Sequence, residues 1–196
     1  MEERKELPNE FIAKWLRVLM YVAIAGFANT LVGLLPLFPD PATAWISRLI
    51  MVVMIYSLFR LAPANDRYRK SAGFRAILVG VTVLTEVFSA GSVFTFAASI
   101  LSIMALYQEY HGHSELIADK DDVLSGKWSS LFLWSIVAGV IVGFASTAAV
   151  MFVAMAEMDT GKAIAIIVAV LGIPQYIIEI LYILYVKKMA AAFQEQ

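Results

Sequence analysis

Long apolar runs constrain this chain more than any other feature of its sequence. A helix needs roughly 20 mostly apolar residues to cross the ~30 Å hydrocarbon layer of a bilayer. Residues 15–37, 128–156 and 163–186 meet that length, and a fourth run, 44–61, is shorter and carries Arg48. Membrane strands are disfavoured, because the runs are long and lack polar/apolar alternation. The chain is 61% apolar or aromatic and 16% charged, against about 45–50% and about 25% in an ordinary soluble domain. With no cysteine and a formal net charge of −1, it is neither a disordered chain nor a secreted disulfide scaffold. Nor is it a nucleic-acid binder working through bulk positive charge. The expected class is an all-α integral membrane protein whose first partner is the lipid bilayer.

Residues 74–107 decide how many times the chain crosses. As one helix they would be about 51 Å long at 1.5 Å per residue, more than a bilayer requires. Ser89-Ala90-Gly91-Ser92 lies near the middle and can turn the chain. Two spans, 73–89 and 92–110, would then form a hairpin, for six crossings; one long helix over 74–107 would make five. Basic residues favour six, because Lys and Arg collect in short cytoplasmic loops. Six spans put 13 basic residues inside, Arg75 among them, and leave Arg48 and Lys162 near the outer face. An internal echo agrees. Lys14-Trp15 opens a run reaching Gly26-Phe-Ala-Asn-Thr30, and Lys127-Trp128 opens another reaching Gly143-Phe-Ala-Ser-Thr147. That pattern suggests a duplication relating spans 1–2 to spans 5–6.

The resulting organisation is a surface segment 1–14, spans 1–4 over 15–110, a cytoplasmic loop 111–127, spans 5–6 over 128–186 and a tail 187–196. Both termini are expected in the cytoplasm, and the chain is expected to be a multi-pass protein of the cytoplasmic membrane. Trp15, Trp45, Trp128 and Trp134 stand near span ends, where interfacial anchors belong.

Charges at bilayer depth cost a few kcal/mol or more unless paired or hydrated, so they mark candidate sites. Arg48 and Glu86 fall at matching depths and are expected to form an intramembrane ion pair. Glu179 lies about 12 Å from the inner boundary by helix rise, with no evident basic partner. Upstream of it Pro174 cannot donate to the helix ladder, which predicts a kink with free carbonyls. Gln175, Glu179 and Tyr182 share one side of that helix. Together with Pro174 they are the candidate pathway for a proton, cation or small polar solute. Ser135, Gly139, Gly143 and Thr147 recur every four residues, a small-residue stripe suited to close helix packing within or between chains.

Glu109, His111, His113 and Glu115 hold both histidines of the chain. On a helix the pairs Glu109–His113 and His111–Glu115 each face one way. Imidazole plus carboxylate suits a divalent metal, and a solvated helix end is the plainer explanation. No phosphate loop, nucleophile elbow or zinc-protease motif occurs, so no cofactor is expected and an enzyme is disfavoured. Three functions are consistent with these residues. A transporter or channel-like subunit, probed at Glu179, comes first. A non-enzymatic adaptor or regulatory subunit of a larger complex is second, and a metal-dependent membrane enzyme third. Six short helices enclose little space, so a homo-oligomer or a partner membrane protein is expected.

Overall fold

Six α-helices make up almost all of residues 7–33, 40–88, 92–155 and 172–194, the parts of the chain described by the computed structural model. They are α1 (Asn9–Gly33), α2 (Asp40–Leu61), α3 (Asp66–Phe88), α4 (Ser92–Ile117), α5 (Asp122–Met155) and α6 (Ile173–Ala192). No strand occurs among the described residues. Among the described residues, three helical stretches, Asn9–Gly33, Ala42–Leu61 and Asp122–Phe144, are long and apolar enough to cross a membrane. The first part of α3 is charged from Asp66 to Arg75, and α4 ends in the polar run from Gln108 to Glu115.

The helices form a closed ring. Each packs against the next in chain order, and α6 packs back onto α1. Residues 74–107 are therefore not one long helix. α3 ends at Phe88, α4 begins at Ser92, and the two lie against each other, which removes the single-helix alternative. A close approach at Gly112 helps join them: a Cβ there would stand 3.3 Å from Arg67 Cβ and 3.4 Å from the Tyr68 ring. Only a residue without a side chain lets α3 come this near without displacing either neighbour.

Two expected boundaries move. Residues 9–14 are the first turns of α1 rather than a separate surface helix, and Ile12 and Ala13 are buried in the core. Pro8 precedes the helix, and its carbonyl accepts from the Phe11 and Ile12 amides. The expected loop 111–127 is mostly helical, because α4 continues to Ile117 and α5 starts at Asp122. Asp121 caps α5 by accepting from the Leu124 amide at 2.8 Å.

The core lies at the end of the ring where the start of α1 and the finish of α6 meet. Leu16 and Leu19 pack there with Leu58 and Leu61, Tyr68, Ile117, Trp128 and Met189, all fully buried. Trp128, expected as an interfacial anchor, is the largest of these, whereas Trp45 and Trp134 are exposed. Arg60 covers the Phe11 and Trp15 rings, and Lys120 covers Phe193.

Candidate functional site

Three helices bring a buried ionic network together next to this core. Arg75 lies about two and a half turns into α3 and Glu109 lies on the facing side of α4. Arg75 donates to Glu109 Oε2 through Nη2 at 2.6 Å and Nε at 3.2 Å. The other carboxylate oxygen accepts from the Tyr182 hydroxyl of α6 at 2.5 Å. Ser71, one turn before Arg75, donates to the Ala105 carbonyl at 2.9 Å and ties the same two helices. Glu109 is fully buried and Arg75 nearly so. Such a pair adds little net stability against an apolar substitute, but removing one partner leaves a buried charge uncompensated.

His113 extends the network toward the core. Its Nδ1 is 2.8 Å from the Tyr68 hydroxyl, and its ring stacks on Trp128 at 4.4 Å. Nε2 faces Glu109 Oε1 at 3.9 Å, too far for a hydrogen bond. Both His113 Nε2 and Trp128 Nε1 are buried without a hydrogen-bond partner among the described residues. Burial pushes the His113 imidazole below its ordinary proton affinity, with the nearby Glu109 carboxylate opposing that shift.

The other half of the expected metal cluster lies elsewhere. His111 bonds to the Tyr107 carbonyl through Nδ1 at 3.0 Å and lies against the Tyr107 and Phe132 rings. Glu115 accepts from Arg67 at 2.7 Å and from Asn65 at 3.1 Å. Burial alone would raise the Glu115 carboxyl, but these two donors hold it below the usual range. Glu109, His111, His113 and Glu115 are thus engaged separately, and no three His, Cys, Asp or Glu side chains converge on a metal position among the described residues. Reading Glu109 and His113 as a solvated helix end is corrected: both are fully buried.

A partly open cavity of about 310 Å³ lies between α1, α2, α3, α4 and α6. Arg75, Glu109 and Tyr182 form part of its wall, and Gln175 and Glu179 line it from α6. From α1 and α2 come Asn29 and Ser47, joined to each other at 2.7 Å, and the thioethers of Met51 and Met54. Three of the four candidate pathway residues therefore face one space. Pro174 does not. It stands in the first turn of α6, where a missing amide costs nothing, and lines an apolar groove between α5 and α6. The expected kink would free the Val170 carbonyl, which lies outside the described residues.

The remaining candidates separate. Arg48 lies over the Trp45 ring at 4.8 Å, and the Glu86 side chain falls outside the described residues, so the expected pair is not described. Along α5, Ser135 is buried and bonds to its own helix at the Leu131 carbonyl. Gly139 and Gly143 have open space beyond them, and Thr147 is exposed. Only the Ser135 end of the stripe packs inside the described part of the ring; Gly139, Gly143 and Thr147 face outward.

Sequence reasoning missed Arg75 and the central place of Glu109. Arg75 was counted with the basic residues of an inner loop, and Glu109 with a helix end. A signal existed, since 75 and 109 fall at similar depth once the 74–107 stretch is folded into a hairpin. Comparison with protein-family models, with curated proteins and with solved structures finds no match, so this site is interpreted from its own geometry.

Proposed function

We propose that this chain is a small transporter or channel-like subunit of the cytoplasmic membrane. In this reading all six helices cross the bilayer, both termini are cytoplasmic, and the solute is a proton, a cation or a small polar molecule. The observation that carries it is a cavity, inside a ring of apolar helices, lined by Glu179, Gln175 and the Arg75–Glu109–Tyr182 network. Charged groups at such depth are costly and are usually tied to a pathway. Glu179 has no ion-pair partner among the described residues, whereas the other cavity carboxylate is fully engaged.

The ring also supports the six-span topology, because neighbouring helices in chain order are neighbours in space. Two matching contacts support the duplication of spans 1–2 and 5–6. Trp15 meets Tyr56 edge-on at 5.4 Å, and Trp128 meets Tyr185 edge-on at 5.6 Å. Thr30 and Thr147 each bond to the glycine carbonyl one turn earlier, Gly26 and Gly143.

Flux into liposomes tests the proposal. Glu179→Gln abolishes proton- or cation-coupled flux while the protein still inserts. Unchanged flux in that variant removes Glu179 from the pathway. A second reading, an adaptor in a larger complex, is favoured by the open surface around Gly139 and Gly143. An adaptor tolerates Glu179→Gln and loses its partner when Gly139 is replaced by Leu.

A further inference from the structure

We propose that the cavity binds a small amphipathic organic monocation, a protonated amine with an aromatic or alkyl body, using Glu179 as counter-ion. The inference rests on the transport reading and names the solute class of the same cavity.

Charge balance comes first. Among the described residues, three formally charged side chains line the cavity: Arg75, Glu109 and Glu179. Arg75 and Glu109 neutralise each other, and both oxygens of Glu109 are taken, one by Arg75 and one by Tyr182. Glu179 is left, with Gln175 as its hydrogen-bonding neighbour one turn away. The cavity thus carries one uncompensated negative charge, which suits a single positive charge and disfavours anions and dications.

The rest of the wall separates an organic cation from an inorganic one. A bare metal ion gives up its water only where several oxygens replace it. Here Asn29 spends its amide N–H groups on Ser47 and the Thr43 carbonyl, and the exposed cavity wall is mostly apolar. Phe27 and Tyr110 bring aromatic rings to the wall, and rings attract ammonium groups and cover apolar bodies alike. Met51 and Met54 add polarizable surface that adapts to shape. At about 310 Å³ the space is at the small end of ligand pockets.

Competition with protons follows. The titratable or charged groups facing Glu179 across the cavity are Arg75 from α3, Glu109 and Tyr110 from α4 and Tyr182 from α6; α1 and α2 contribute neutral groups. With Glu109 held by Arg75 and Tyr182, the carboxyl open to exchange is Glu179. It takes a proton or an ammonium, not both.

Calorimetric titration of the full chain in nanodiscs tests this, with benzylammonium, its neutral counterpart benzyl alcohol, and potassium. At about pH 7.5 benzylammonium binds at least about tenfold more tightly than benzyl alcohol, the range expected for a charge-assisted contact. Excess potassium does not displace it. Glu179→Gln removes the preference, and Glu179→Asp keeps it. Equal affinity of the wild type for the two benzyl compounds overturns the proposal without recourse to any variant. So does a preference that survives in Glu179→Gln. Potassium flux without benzylammonium binding refutes the solute class and leaves the transport reading standing. Binding without any flux refutes transport and leaves the site.

Discussion

The two ends of the helix ring differ as sharply as a soluble protein differs from a membrane one. At the end where α1 starts and α6 finishes, Trp128, Tyr68, Glu109 and His113 are completely buried, and polar groups bridge α3, α4 and α6. Toward the other end, large apolar side chains such as Ile77, Phe96, Val140, Ile141 and Phe144 face outward. Water would drive those side chains together, but lipid is as apolar as they are and supplies no such force. The first end is therefore held by its own packing and hydrogen bonds, while the second relies on its surroundings. The cavity lies between them, and the hydrogen-bonded Arg75–Glu109–Tyr182 network forms its floor.

The largest effect that would break this contrast is in the floor itself. Arg75→Ala or Glu109→Ala strands a buried charge and should destabilise by about 3–5 kcal/mol, read as a fall in thermal unfolding midpoint in micelles. Replacing both by apolar residues of similar size should recover most of that loss. If the single changes are harmless, the floor is hydrated rather than dry.

Core size gives the next comparison. Trp128 is 0% exposed and Phe144 is 77% exposed. Trp128→Ala should cost about 3–5 kcal/mol by cavity formation, whereas Phe144→Ala should stay within about 0.5 kcal/mol, as for other exposed positions. Equal sensitivity at the two positions would mean that a neighbouring molecule covers α5.

A smaller effect should sharpen the contrast through pH. Burial lowers the proton affinity of His113 in the folded chain, so below its ordinary value of 6.5 the unfolded chain binds the extra proton. Stability is then complete above that pH and declines as the pH falls below it. Glu115 is held below its ordinary 4.5, so its contribution is present above that value and fades at lower pH. Unfolding midpoints measured across these two windows should show the first decline flattened in His113→Gln and the second in Glu115→Gln.

Much of the architecture was legible before any coordinates. Apolar run length located four of the six helices and one long stretch, which Ser89-Ala90-Gly91-Ser92 divided into α3 and α4. Helical spacing put Gln175, Glu179 and Tyr182 on one side, and they do line one cavity. The same reasoning failed for Pro174, because spacing alone does not say which side of a helix meets the interior. It failed for Arg75 and Glu109 for a related reason. A charged residue near an apolar boundary has the same sequence signature whether it faces headgroups or a facing helix.

By itself the sequence determined the helical class, the break in the long central run and the presence of a lone acidic group on the last helix. Each follows from local quantities: run length, turn residues and spacing along one helix. The tertiary structure alone decided that α6 closes on α1, that Tyr182 reaches a carboxylate 73 residues away and that Trp128 is core rather than anchor. Those outcomes depend on which faces meet across the ring, and contact between distant segments is not encoded in the hydropathy of either one.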